Sequence, residues 1–425
     1  MEKIWSLVIE LTHLSVQYAT GQPNRHNDFL VFRYHRHLVV VNLPFFSHNA
    51  TVNSYVAFES ENLTVHMIDL MTSAVKAAPA QFSNLLREPT IRTRWEKVRK
   101  FFFLRESTYD MSNRCNLRCD GCYYYKGEKF HAAENRNPDD WRQLMRAEKE
   151  RGVTFVVLAG AEPALVPDLL QVCYKEMPLG CIATNGIKHI PASVDYRIHI
   201  SVWGNDHTSA KTRGVENILK HQLDNYQGDD RAVFVYSFTR DNINEAPEVV
   251  ETLANHGCKV TFNIFSSPVG YIGNLRHTEE SLLKTRECML RLLDRYPKQV
   301  LFSAYNSVVH TFQRGLHDTF SCSYPRMNPS TAIGLGRSFR QYRTDLTWNR
   351  TASCCVPDTD CHDCRHYASG SAIVTARLHR HAEDRAHFTA WLDYVDTYLA
   401  VWVKGYQKSE NLNNDMVLPP GFDSY

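Results

Sequence analysis

Neither sign of charge is in excess in this chain: 48 Lys and Arg stand against 46 Asp and Glu over 425 residues, a formal +2. No basic tail or Arg/Lys run stands out, so general nucleic-acid binding has no electrostatic support. No stretch approaches the roughly 18 uninterrupted apolar residues of a membrane span, so no membrane partner is expected. The opening MEKIWSLVIELTHLS carries Glu2, a short apolar run and no small-residue cleavage site. It reads as part of a fold rather than a signal peptide, and a cytoplasmic protein is expected. Cysteine, by contrast, is plentiful: there are 12, and seven fall in two groups, at 115, 119, 122 and at 354, 355, 361, 364. Without an export signal, metal ligation in a reducing cytosol accounts for this clustering better than disulfides do. Cys173, Cys181, Cys258 and Cys288 stand alone in helical or strand-like segments and read as small buried hydrophobes.

The length suggests two or three domains. Residues 1–103 read as an α+β module, with VFRYHRHLVVVNLPFF as strand and HMIDLMTSAVKAA as helix. His35 and His37 alternate with Tyr34 and Arg36, which places both imidazoles on one strand face, solvated or turned toward a substrate. The basic, aromatic TRWEKVRKFFFLRES leads into residues 104–305, where a strand–turn–helix pattern repeats. Strands are expected at 108–112, 154–158, 180–184, 196–202, 232–238 and 258–264, with helices around 138–151, 164–176, 211–223 and 245–256. Six strand-led units imply a parallel α/β barrel or open barrel, with ligand groups gathered at the carboxyl ends of the strands. Residues 306–372 hold the second cysteine group. Residues 373–425 read as a helix ending at Gly405 followed by a polar tail.

The run RCNLRCDGCYYYKG places Cys115, Cys119 and Cys122 within eight positions, directly after the first strand of the repeat. Three thiolates on a four-iron cluster leave one iron able to hold and activate a second molecule. Zinc is the alternative, and it needs a fourth ligand or a water. After the second strand comes VVLAGAEP, an exposed turn on this reading, whose carbonyls and carboxylate suit an ammonium group. In RIHISVWGNDH, period two sets Arg197, His199 and Ser201 on one face and Ile198, Ile200 and Val202 on the other.

This C-x3-C-x2-C run resembles the signature of the radical S-adenosylmethionine (radical SAM) family, whose fold is a partial (β/α)6 barrel. The resemblance implies a 4Fe-4S cluster on Cys115, Cys119 and Cys122 that binds S-adenosylmethionine (SAM) and cleaves it to a 5′-deoxyadenosyl radical. It also implies a reducing electron donor such as flavodoxin or ferredoxin. Gly160, Ala161, Glu162 and Pro163 match the family's Gly-Gly-Glu-Pro turn, with Ala161 in place of a glycine. Thr184 and Asn185 match a position near ribose, Ser201 a serine against SAM, and Arg213 an arginine that clamps the SAM carboxylate. The family usually has an aromatic residue just before the third cysteine; here that residue is Gly121, and Tyr123 is expected to supply the ring. Arg197, His199, Tyr236 and Asn263 are the candidates for the substrate side of the lumen.

Cys322 and CCVPDTDCHDC resemble the twitch or SPASM extensions that hold auxiliary clusters. Five cysteines suit one fully ligated second 4Fe-4S cluster, on Cys322, Cys361, Cys364 and one of Cys354 or Cys355, with Cys355 preferred. A zinc knuckle, with His362 and His366 nearby, is the alternative. The resemblance implies hydrogen abstraction from a small-molecule substrate, in specialised metabolite biosynthesis. The alternatives are maturation of a ribosomally made peptide, with the N-terminal module recognising a leader, and a non-catalytic zinc scaffold. A module that adds a peptide strand at a sheet edge would favour the peptide.

Overall fold

The computed structural model describes residues 15–16, 28–34, 37–43, 79–99, 104–122, 124, 133–312, 340–348 and 359–419. At the amino end, β1 (Ser15–Val16), β2 (Asp28–Tyr34) and β3 (His37–Leu43) form an antiparallel sheet in the order β1-β2-β3. The segment read as one strand through His35 and His37 is a hairpin: β2 ends at Tyr34, β3 begins at His37, and these two residues are paired. A two-residue connection reverses the chain there, so one strand cannot carry both histidines. The helix expected over HMIDLMTSAVKAA lies outside the described residues.

Helices α1 (Pro79–Leu85) and α2 (Pro89–Val98) precede the main sheet. Its strands are β4 (Glu106–Asp110), β5 (Phe155–Ala159), β6 (Gly180–Thr184), β7 (Arg197–Val202), β8 (Ala232–Phe238) and β9 (Val260–Ile264), all parallel and in sequence order. Between and after them run α3 (Pro138–Glu150), α4 (Pro167–Glu176), α5 (Asp206–Arg213), α6 (Ile218–Tyr226), α7 (Ala246–Asn255) and α8 (Glu279–Arg295). This is the expected partial α/β barrel. Asn137 caps α3 by accepting from the Asp139 N–H, and Pro138 fills its first turn. The helix expected over 211–223 is two helices. Gly214 closes α5 in the left-handed conformation at φ 76°, and Asn217, at φ 56°, opens α6.

Alternation along each strand builds two layers. Outward residues such as Tyr109, Leu158, Ile182, Ile200, Phe234, Phe238 and Phe262 pack with Trp141, Met145, Leu170, Val250 and Leu253 of the crossover helices. The inward face meets α9 (Ala304–His310), α10 (Tyr367–Ala376), α11 (Leu378–His381) and α12 (Arg385–Trp402) of the carboxyl-terminal part, whose β10 (Gln341–Tyr342) joins the sheet's edge. Inward Phe155 and Cys181 share a core with Trp95 of α2, Tyr305 of α9 and Trp391, Tyr394 and Tyr398 of α12. Helix α12 is buried along nearly its whole length and fills the inner face near the strands' amino ends. The tail beyond it wraps two buried aspartates, with Leu412 N and Asn413 N donating to Asp393 and Ser409 N to Asp396. Arg94 of α2 stands 2.8 Å from Asp393 and 3.6 Å from Asp396.

At the opposite edge, β10 adds a seventh strand parallel to β4. Tyr342 stacks on Tyr109 at 5.2 Å between ring centres, and both hydroxyls donate to buried Glu148 (2.8 and 3.0 Å). Among the described residues, no helix is long and apolar enough to cross a membrane.

Candidate active site

The loop after β4 carries Cys115, Cys119 and Cys122, which are half-buried and, among the described residues, in no disulfide. Buried Leu117 anchors the loop, and its N–H points at Cys115 Sγ (3.4 Å). Asp120 N donates to Thr212 O (2.7 Å), and Tyr271 donates to Asp120 Oδ2 (3.0 Å). Gly121 has φ 67°, and a Cβ there would lie 2.7 Å from Phe265 Cζ. Phe265, just past β9, occupies the space that a ring before the third cysteine would need. Tyr123, expected to replace that ring, lies outside the described residues.

The Gly-Ala-Glu-Pro turn is internal rather than exposed. Gly160 has φ 43°, and a Cβ on it would stand 2.3 Å from Asp110 Oδ1, so glycine is required. Ala161 has no left-handed backbone, which is why alanine is accommodated there. Glu162 is buried, and its carboxylate accepts from Ala164 N (2.9 Å), Thr184 Oγ1 (2.6 Å) and Asn185 N (2.8 Å). Burial pushes its pKa up, against these three donors and the nearby Arg213 charge. Pro163 begins a 3-10 turn, Pro163–Leu165. The carboxylate expected to face an ammonium group thus ties the ends of β5 and β6 together, because two adjacent loops offer it three donors.

Asn185 extends this network to the cysteines. Its Nδ2 donates to Asn116 Oδ1 (2.7 Å) and lies 3.7 Å from Cys115 Sγ. Gln222 of α6 bridges Asn185 O (2.7 Å) and Ser201 O (2.8 Å), and Arg213 also donates to Ser201 O (2.7 Å). Arg213 is buried under the Trp203 ring, and its Nε has no hydrogen-bond partner among the described residues. The fold therefore gathers Cys115, Glu162, Thr184, Asn185, Ser201 and Arg213 at the carboxyl ends of the strands. Gln222, Phe265 and Tyr271 join them unanticipated. Only Gln222 left a sequence signal, a polar residue at an inward position of ILKHQLDNY.

Three of the lumen candidates lie elsewhere. Arg197 opens β7 at the far end, and its guanidinium donates to Asp230 O, Arg231 O, Ala400 O and Val403 O. His199 Nε2 lies 2.8 Å from Val401 O, its ring is edge-on to Trp402, and burial lowers its pKa to about 4. Both side chains seat the last turn of α12. Tyr236 points outward into the helix-packed core and donates to Asn242 O (2.7 Å). The side expected for it, toward the lumen, is therefore not the side it faces. Asn263 alternates with outward Phe262 and Ile264, and its Oδ1 is buried without a hydrogen-bond partner among the described residues.

In the second cysteine group, Cys361–Asp363 is a 3-10 turn and Cys364 is buried; Cys322, Cys354 and Cys355 lie outside the described residues. The segment is fastened to the loop after β9: Asp360 N donates to Ser267 O (2.9 Å), Ser267 N to Asp363 Oδ2 (3.1 Å), and Arg365 N to Ser266 Oγ (2.8 Å). His362 is exposed, and His366 lies 3.3 Å from Thr359 Oγ1. Among the described residues, no three His, Cys, Asp or Glu side chains gather at the spacing of a single-ion site. Three thiols on one loop at the strand ends, with N–H groups aimed at the first, fit thiolate ligation of an iron–sulfur cluster.

The family model of the Radical SAM superfamily matches residues 109–274. An S-adenosylmethionine-dependent nucleotide dehydratase of a Thermoplasmatales archaeon (strain ISO4-H5) is 33% identical over 99 residues, 23% of this chain and 33% of the relative. The sporulation killing factor maturation protein SkfB of Bacillus subtilis (strain 168) is 25% identical over 164 residues, 35% of this chain and 40% of the relative. The chain thus spans a third to two fifths of the length of these curated relatives. Among solved structures, Streptococcus suis SuiB bound to precursor peptide SuiA aligns at TM-score 0.41 with 17% identity, covering 60% of this chain and 61% of SuiB. The cysteine loop, the Gly-Ala-Glu-Pro turn and strands β5 to β9 all lie within the matched span, and residues 109–274 are a radical SAM domain.

Proposed function

We propose that this chain is a radical SAM enzyme that modifies a peptide. The amino-terminal sheet carries that reading. β3 is an outer strand in the order β1-β2-β3, paired along one edge by β2. Among the described residues nothing pairs its other edge, and an added peptide strand would hydrogen-bond there through main-chain groups. The similarity to SkfB, a maturation protein of the sporulation killing factor, supports the peptide class over a small metabolite. The second reading, a phosphorylated small molecule, rests on the name of the nucleotide dehydratase.

In this proposal Cys115, Cys119 and Cys122 hold a 4Fe-4S cluster, and a flavodoxin- or ferredoxin-like donor supplies its electron. When bound, cluster and SAM supply a 5′-deoxyadenosyl radical that can take a hydrogen from an unactivated carbon. The chain's own part is positioning and shielding. Glu162, Thr184 and Asn185 set the floor of the SAM site, with Ser201 and Arg213 on its flank, while α12 closes the inner face at the far end. Asn263 Oδ1 is the inward polar atom open to a substrate donor. Cys322, Cys355, Cys361 and Cys364 would hold a second cluster beside the loop after β9. A cytoplasmic setting follows from the thiolate chemistry.

The test measures 5′-deoxyadenosine release by the anaerobically reconstituted protein with SAM and a one-electron reductant. Stimulation by a low-mass peptide fraction that protease treatment abolishes supports the peptide reading. Stimulation that survives protease but is lost with phosphatase refutes it in favour of the nucleotide. Cys119→Ala is expected to lose 5′-deoxyadenosine release by more than a hundredfold.

A further inference from the structure

We infer that Asn185 raises the reduction potential of the cluster by donating a hydrogen bond to the sulfur of Cys115, an inference that rests on the radical SAM reading of the cysteine loop. Asn185 is held at every polar group. Its N–H donates to Glu162 Oε2 (2.8 Å), and its carbonyl accepts from Gln222 Nε2 (2.7 Å). The side-chain Oδ1 accepts from Ile187 N (3.0 Å). That last bond settles which way the amide faces, because only an oxygen can accept from a main-chain N–H. The Nδ2 group is therefore committed to the other side, where Cys115 Sγ lies at 3.7 Å and Asn116 Oδ1 at 2.7 Å.

The turn after β6 needs the Oδ1 contact alone; nothing local requires the Nδ2 donor. Asn185 is only 6% exposed, so water does not compete for that donor. The same sulfur also receives Leu117 N at 3.4 Å, and Arg118 binds Cys115 O at 3.0 Å, so this loop end is rich in donors. A reduced cluster carries one more negative charge than an oxidised one. Donors to its sulfur ligands therefore favour the reduced form. Asn185 acts through Cys115 and is a positioning residue, contributing alongside any part it has in binding SAM.

The experiment is a redox titration of the reconstituted holoprotein without SAM, following the EPR signal of the reduced cluster. Asn185→Ala removes the donor and is expected to lower the reduced-to-oxidised ratio about tenfold at fixed poise, about 59 mV for a one-electron couple. Asn185→Asp keeps an oxygen for Ile187 N but turns a donor toward sulfur into an acceptor, and is expected to shift the potential at least as far. Midpoints equal to wild type in both variants would overturn the inference and leave the radical SAM reading intact. Loss of the cluster from both also overturns it, since Asn185 would then serve assembly. A wild-type chain that takes up no cluster refutes the radical SAM reading itself.

Discussion

Lowering the pH from 7 to 5 is expected to cost the fold about 6 kcal/mol, chiefly through four buried histidines. His199, His310 and His381 are all at most 9% exposed, and burial lowers their pKa values to about 4, about 4 and about 3. Their partners suit the neutral ring. His310 has Arg365 O at 3.2 Å from Nδ1 and Tyr394 Oη at 3.0 Å from Nε2; His381 has Arg377 O at 2.8 Å and Tyr305 Oη at 2.7 Å. In the unfolded chain each imidazole titrates near about 6.5. The stability they contribute is therefore complete above that pH and is lost as pH falls toward their folded values. His277, 8% exposed, lowered to about 4 by burial and held by Ser281 Oγ and Phe238 O at 3.0 Å each, behaves alike; each of the four loses about 2 kcal/mol between pH 7 and 5, about 8 kcal/mol together. Asp393 has the opposite sign: burial raises it to about 6, so protonation on acidification returns about 1.4 kcal/mol. Glu162, also raised by burial, works in the same direction as Asp393. A net loss of about 6 kcal/mol is a large part of a typical 5–15 kcal/mol. Urea unfolding at the two pH values measures it. His199→Asn keeps a donor for Val401 O but cannot titrate, so its loss is expected to be about 2 kcal/mol smaller than wild type. Identical losses in the two proteins would refute the assignment of His199 as a buried neutral ring.

Two further perturbations test the frame around the site. Glu148→Ala removes the acceptor of the Tyr109 and Tyr342 hydroxyls and the ion-pair partner of Arg151 (2.7 Å), at an expected cost of about 3–5 kcal/mol. Hydrogen–deuterium exchange is expected to speed up at Gln341–Tyr342, where β10 pairs with β4. Gly160→Ala forces a side chain against Asp110 at φ 43° and is expected to cost about 2 kcal/mol or more in thermal unfolding, whereas Ala161→Gly stays within about 1 kcal/mol.

Much of the site was legible because its signals are local. Cysteine spacing, the glycine at 160 and alternation along RIHISV are each decided within a few residues, where backbone geometry leaves few choices. Gly121 was legible as a departure but not as a cause, and the split at Gly214 went unread inside one expected helix over 211–223. The reason for Gly121 is Phe265, about 140 residues later, pressed onto its α-carbon. Tyr236 shows the limit of local reading in a strand apolar on both faces: AVFVYSF has no polar alternation to set its phase.

The sequence by itself determined the radical SAM domain, its parallel strands and the side of β7 that Arg197, His199 and Ser201 share. The tertiary structure alone decided what each of the three meets along that shared face. Ser201 lies at the strand's carboxyl end among Asn185, Gln222 and Arg213, whereas α12 packs over the amino end and takes Arg197 and His199 through its last carbonyls. Side-chain period is a property of a few consecutive residues, but depth along a strand becomes functional only when a distant element occupies one end. Here that element arrives 202 residues after His199, and no local pattern announces it.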